Sequence, residues 1–195
     1  LDEQLGKLFA RLRERGLFDS ALIIVTSDHG EYFGEHDLLE HSKDVYEGAL
    51  CVPLLVKAPG QQAGAVAAER FSLAWIPDLV LGHLPRSMRQ ELAGRFPAPA
   101  EDVFAETYYA RERDLIGQPW GDRFRRVRRC LYVGQWKLVW SSDGRHELFD
   151  LGPDPGEGYE GDRRPGTSIR DVEHLPQLLL ARDVGLPEGG TLRGA

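Results

Sequence analysis

The stretch "ALIIVTSDHGEYFGEH", residues 21–36, decides the predicted fold because a continuous apolar run gives way abruptly to charged residues. The apolar run follows "LDEQLGKLFARLRERG", residues 1–16, whose leucines fall on one helical stripe before a glycine stop. An uninterrupted apolar strand after a helix is typical of a central parallel strand covered on both faces. Ligands of open α/β sheets bind beyond the carboxyl ends of such strands, so we expect a site at "SDHG".

Asp28 and His29 are the two side chains that this placement singles out. Beyond the strand end, a carboxylate and a neighbouring imidazole can converge on one point, which suits a divalent cation such as calcium, manganese or zinc. Four to eight ligands are usual, so further ligands must come from elsewhere. The alternative is that Asp28 caps a helical turn and His29 is an ordinary loop histidine.

The loop "GEHDLLEHSKDVYEG", residues 34–48, adds His36, His41 and Lys43 to this region. Cationic and imidazole groups beside a metal are suited to holding a tetrahedral anion and protonating a leaving oxygen. Each of the three residues, taken singly, also fits a surface position. As a cluster they favour an anion-binding site.

The rest of the sequence predicts an α/β portion followed by a small antiparallel subdomain. "VPLLVKAPG" and "EDVFAETYY" indicate strands, and "SLAWIPDLVLGHL" indicates a helix with Pro77 near its start. From Arg125 the pattern changes to short strands, with "SSDGR" as a hairpin turn, and "DVEHLPQLLLARDVG" predicts a closing helix. We therefore expect domains at residues 1–124 and 125–195.

Composition excludes several classes of protein. The 195 residues are 42% hydrophobic and 28% charged, with a net charge of −7, which is typical of a globular chain and disfavours nucleic-acid binding. The arginine-rich residues 111–129 are expected to form a solvated, locally paired surface. No apolar stretch is long enough for a membrane span, and no signal peptide is visible.

Two cysteines without C-x-x-C spacing argue against a disulfide framework or a cysteine zinc site, and Cys51 in "ALCVPLLV" is expected in the core. The chain starts with leucine inside a helical pattern, which predicts a segment of a longer protein.

Together these motifs resemble the sulfatases of the alkaline-phosphatase-like superfamily, over most of residues 1–160. The segment from "LIIVTSDHGE" through "YEG" to "VPLLVKAPG" is similar to the second metal-binding block of that family. "QWKLVW" and "HELFDLGPDPGE" resemble strands of its C-terminal subdomain. The resemblance implies an alkaline-phosphatase-like sandwich portion with a mostly parallel sheet, plus a small antiparallel C-terminal subdomain.

The resemblance also implies roles for the candidate residues. Asp28 and His29 would be metal ligands, with calcium expected and manganese, magnesium or zinc as alternatives. His41 and Lys43 match the region that contacts the anion and protonates the leaving group, and His36 matches a "GEH" position that either binds substrate or is structural. The family's nucleophile motif, Cys/Ser-x-Pro-x-Arg, surrounds neither cysteine, and its N-terminal aspartate ligands are also absent.

The function implied is that of the C-terminal portion of a metal-dependent sulfate-ester hydrolase. Its partners would be a small sulfated or phosphorylated substrate and the missing N-terminal half of the catalytic domain. By itself the segment lacks a nucleophile and is expected to be inactive. The alternatives are a phosphodiesterase, phosphonate hydrolase or phosphoethanolamine transferase of the same superfamily, or a noncatalytic anion-binding remnant.

Overall fold

The computed structural model describes residues 1–92, 94–96, 103–108 and 121–157. The chain divides into two compact units, each built from two stretches: Leu1–Gly30 with Ala49–Val103, and Glu31–Gly48 with Phe104–Ala195. The expected domain boundary at residues 124 and 125 stays a prediction. The predicted closing helix at residues 171–185 lies outside the described residues.

The first unit begins with the predicted amphipathic helix, α1 (Asp2–Glu14), which ends before Gly16 at a φ of +66°. None of the residues of α1, all of which are described, is buried. β1 (Ile23–Thr26) and β4 (Leu54–Lys57) confirm the two apolar strands. Pro77 lies in the first turn of α3 (Ile76–Gly82), where a missing N–H costs no helical hydrogen bond. Beyond it follows α4 (Arg86–Leu92).

The strand β1 pairs antiparallel with β4, with Ile24 opposite Val56, and β1 is only partly buried. All strand pairs among the described residues are antiparallel, so the parallel neighbours expected for residues 21–26 are not found in this part of the chain. A parallel pair needs a long crossover, usually a helix. Between β1 and β4 the described chain holds only short elements, so it returns in the opposite direction.

The second unit contains a short hairpin, β2 (Tyr32–Phe33) and β3 (Leu39–Glu40). A tight turn, Glu35–Asp37, lies between its strands, and His36 and Asp37 in that turn have positive φ values. It also contains the predicted antiparallel sheet, whose strands pair in sequence order. The strands are β5 (Phe104–Tyr108), β6 (Val127–Val133), β7 (Trp136–Ser141) and β8 (Glu147–Asp150). The described elements also include two short helices, α2 (Glu47–Leu50) and α5 (Gly121–Phe124), and a 3-10 turn, Leu73–Trp75, directly before α3.

The strand register gives the sheet two different faces. Leu131, Leu138 and Leu148 lie directly opposite one another on three strands and form a buried apolar cluster. Side chains alternate along a strand, so Arg128 and Lys137 project from the opposite face. Both are almost completely buried, at 1% and 0% exposure. This second face therefore carries buried positive charge that must be neutralised.

Two sequence predictions about surface and core were wrong. Arg126, Arg128 and Arg129 were expected on a solvated surface, but their side chains are 8%, 2% and 4% exposed in ion pairs. Acids distant in sequence supply those pairs, which is why a local charge pattern did not reveal them.

Cys51 was expected in the core but is exposed, because it lies in the link between α2 and β4 rather than in a strand.

The residues after β3 neutralise the charged face of the sheet. The fully buried carboxylate of Asp44 lies 3.0 Å from Arg126 Nη2 and 3.2 Å from Arg128 Nε. Lys137 Nζ lies 2.8 Å from both Glu47 Oε1 and Glu157 Oε1. Burial raises the pKa of Glu157, an effect that the neighbouring ammonium of Lys137 opposes.

We expect Asp44→Ala to lower the free energy of unfolding by about 3–5 kcal/mol, because it removes the fully buried carboxylate that Arg126 and Arg128 share. Arg126 then keeps its contact with Asp143, and Arg128 keeps its contact with Glu147. The measurement is urea denaturation followed by tryptophan fluorescence. Glu3→Ala is the charge-matched control. It removes the exposed ion pair of Glu3 with Lys7, 2.6 Å apart, and should change stability by no more than about 0.5 kcal/mol. Equal effects of the two variants would contradict the prediction.

Candidate metal and active site

The first group of candidate residues follows β1 directly, as the sequence predicted. Ser27 Oγ donates a hydrogen bond to the His29 carbonyl, 2.7 Å away, and the His29 backbone N–H donates to Asp28 Oδ1 at 3.1 Å. These contacts form a tight polar turn at the strand end. Its two ligand candidates remain accessible, since the side chains of Asp28 and His29 are 86% and 41% exposed.

The ring of His29 has a defined orientation. Nδ1 lies 2.8 Å from the Gly30 carbonyl, and because a carbonyl only accepts, Nδ1 carries the proton. Nε2 then carries the lone pair, and it lies 3.7 Å from Asp28 Oδ2. Metal-binding histidines commonly donate their other N–H to a carbonyl in this way. The lone pair of His29 Nε2 and the carboxylate oxygen Oδ2 of Asp28, 3.7 Å apart, can both coordinate one divalent cation.

The second group of candidate residues lies on and after the β2–β3 hairpin. His41 Nδ1 lies 3.2 and 3.3 Å from the two carboxylate oxygens of Glu31. Glu31 was not among the residues that the sequence singled out. Glu31 immediately precedes β2 and His41 immediately follows β3, so their pairing is visible only once the register of this hairpin is known.

Lys43 is held by its own loop. Its Nζ donates to the Leu39 carbonyl at 2.6 Å and to Glu40 Oε2 at 3.0 Å, and the side chain is 15% exposed. Lys43 therefore fastens the end of the hairpin. Its predicted contact with an anion stays a prediction.

His36 packs against the interior of the second unit. Its ring stacks on that of Tyr46 with centroids 3.8 Å apart and an angle of 10° between the planes. The His36 carbonyl accepts a hydrogen bond of 2.5 Å from Arg123 Nη2. Burial lowers the pKa of His36, although the carboxylates of Glu147 and Asp44 oppose that shift. These contacts suit a neutral, structural imidazole, and substrate binding by His36 stays a prediction.

Comparison with solved structures identifies the fold. A 2-O GAG sulfatase has a TM-score of 0.63 and 17% identity, covering 92% of this chain and 39% of its own. Phosphonate monoester hydrolase of Agrobacterium radiobacter has a TM-score of 0.57 and 22% identity, covering 92% and 38%. The chain therefore has the alkaline-phosphatase-like fold, with a small C-terminal sheet.

Sequence relatives identify the family. Residues 1–84 match the sulfatase family model. Arylsulfatase K of Bos taurus is 31% identical over 80% of this chain and 30% of its own length. Choline-sulfatase of Rhizobium meliloti (strain 1021) is 29% identical over 99% and 38%. The chain belongs to the sulfatase family, whose members are sulfuric ester hydrolases that generally use a divalent metal ion.

This family assignment covers only part of a typical member, because the chain spans 30–38% of the length of these two relatives. No helix in the described ranges is both long and apolar enough to cross a membrane.

We expect the stability of the folded protein to fall as the pH drops below about 6.5, the ordinary histidine pKa. The pKa of His36 is lowered in the folded state, so the unfolded state takes up the proton first. His36→Phe keeps a ring to stack on Tyr46 but cannot be protonated. Its free energy of unfolding should therefore fall less between pH 7.5 and pH 5 than that of the wild type. Parallel losses in both proteins would contradict this assignment.

Proposed function

We propose that the chain forms the C-terminal part of a metal-dependent hydrolase that cleaves sulfate esters. The observation that carries this proposal is the turn after β1, where His29 Nε2 and Asp28 Oδ2 lie 3.7 Å apart. The names of the relatives, arylsulfatase K and choline-sulfatase, support a sulfate ester as substrate. The likeness to solved sulfatase structures supports only the fold.

Asp28 and His29 would hold the divalent cation. We propose calcium as the bound ion, with manganese, magnesium or zinc as alternatives that also bind a carboxylate and an imidazole. When bound, the cation supplies positive charge that stabilises the anionic oxygens of the substrate. The Gly30 carbonyl keeps the ring of His29 in the tautomer that presents Nε2. We propose that the remaining ligands and the nucleophile come from an N-terminal half of the catalytic domain, outside this chain.

His41 is the residue to which we assign proton transfer to the leaving alcohol. Its Nδ1 proton is held by Glu31, so the transferred proton resides on Nε2. Lys43 contributes positive charge near the anion, although its ammonium is paired with Glu40. His36 would support this loop through its stacking on Tyr46. We also propose that residues 1–124 and 125–195 are the two domains of this portion.

Asp28→Ala in the full-length gene product should abolish metal-dependent hydrolysis of sulfate esters and leave the fold intact, because Asp28 is exposed and lies after the strand. The measurements are turnover of aryl and alkyl sulfates, bound metal by elemental analysis, and circular dichroism. Asp2→Ala, in the first turn of α1, is the matched control and should retain activity.

The same assay separates the alternatives. Near wild-type turnover by Asp28→Ala would contradict the ligand assignment. Preference of the wild type for phosphonate monoesters or phosphodiesters would replace sulfate chemistry by phosphoryl chemistry. A wild type that takes up metal and binds sulfate but cleaves none of these esters would favour the noncatalytic, anion-binding alternative.

A further inference from the structure

The β2–β3 hairpin places Glu31 and His41 opposite each other. Its two described pairs are Tyr32 with Glu40 and Phe33 with Leu39. Continuing this antiparallel register by one residue brings Glu31 to His41, so the contact follows from the hairpin itself. A carboxylate and an imidazole opposite each other at the open end of a hairpin form an oriented pair.

The contact orients the imidazole through Nδ1. His41 Nδ1 lies 3.2 Å from Oε2 and 3.3 Å from Oε1 of Glu31, so the carboxylate accepts the Nδ1 proton at either oxygen. The two side chains are partly exposed, at 33% for His41 and 38% for Glu31. They are therefore ordered by each other and still accessible to a small substrate.

The backbone around His41 is held in an unusual conformation. Glu40 and Ser42, its two neighbours, have φ values of +66° and +65°, a region that non-glycine residues rarely occupy. Such residues persist only where the surrounding structure fixes them, and they cluster at functional sites. Here Lys43 Nζ binds the Leu39 carbonyl, and Thr107 Oγ1 donates to the Ser42 carbonyl at 3.3 Å. The protein thus fixes the direction in which His41 points.

We propose that Glu31 is a positioning residue for His41. It accepts a hydrogen bond from the Nδ1–H group of His41 and orients Nε2 toward the leaving-group oxygen of the ester. This inference rests on the proposed function. As the bond from sulfur to the leaving oxygen breaks, its electron pair passes to that oxygen, which takes the Nε2 proton of the doubly protonated His41 ring. His41 is left as a neutral imidazole with its proton on Nδ1. The sulfuryl group passes to an oxygen nucleophile supplied by the rest of the enzyme.

The test compares leaving groups in the full-length gene product. A nitrophenolate leaves readily without a proton, whereas an alkoxide needs one. Glu31→Gln should therefore lower kcat for alkyl sulfates by about 10- to 100-fold, as expected when general acid catalysis is partly lost. It should change kcat for nitrophenyl sulfate less than about threefold, with KM similar for both substrates. Glu31→Asp, which keeps the carboxylate, should recover part of the loss.

Glu35→Gln is the matched control, because Glu35 lies in the same hairpin and accepts the Phe33 N–H at 2.7 Å. It should leave the dependence on the leaving group unchanged. Bound metal, measured for every variant, distinguishes positioning from ligation. A loss of metal in Glu31→Gln with equal loss of activity on all esters would overturn the proposal, and so would unchanged activity on alkyl sulfates.

A readout independent of turnover separates this proposal from the proposed function. In neutral His41 of the wild type, imidazole nitrogen chemical shifts should report a proton on Nδ1. In Glu31→Gln they should report a mixture of tautomers. An unchanged tautomer would overturn the positioning role even if sulfate esters are hydrolysed. A wild type with the expected tautomer but no hydrolysis would instead contradict the proposed function.

Discussion

The second unit buries a set of charged side chains, and each of them needs an oppositely charged partner to offset the cost of leaving water. Asp44 meets Arg126 and Arg128, and Glu47 meets Lys137, on the face of the sheet opposite the leucine cluster. Transferring such ions out of water costs several kcal/mol each, and only their partners with good geometry offset that cost. The segment that carries the two acids is therefore tied to one position on the sheet. We infer that the network fixes the placement of this segment on the sheet as well as contributing to stability.

Packing around the network supports the same placement. The hydroxyl of Tyr46 donates to both carboxylate oxygens of Glu147, at 3.1 and 2.9 Å. The Tyr46 backbone N–H donates to the Tyr32 hydroxyl at 3.2 Å, which joins β2 to the same segment. A Cβ at Gly48 would lie 2.8 Å from Cδ1 of Tyr32, so only glycine allows this approach. The β2–β3 hairpin, which His41 directly follows, is thus held in place by the contacts of Tyr32 with Tyr46 and Gly48.

Local sequence pattern predicted what depends on local physics. It identified α1, β1, β4 and the hairpin between β7 and β8, because apolar periodicity and turn residues act over a few positions. It also placed Asp28 and His29 just beyond a strand end. It failed for Arg128, whose partners Asp44 and Glu147 lie far along the chain, and it missed Glu31, whose role depends on hairpin register. Long-range pairing of charges leaves no periodic trace in a sequence.

The turn between β2 and β3 limits how this region can evolve. Deleting one residue between Phe33 and Leu39 would move Ser42 opposite Glu31 and turn His41 toward the other side of the ribbon. Inserting one would bring Glu40 there and set two acids against each other. Substitutions at turn positions other than Gly34, whose φ is +133°, keep this spacing, whereas changes of turn length do not. The number of residues between Glu31 and His41 is thus a constraint on the protein that is separate from the identity of the residues in the turn.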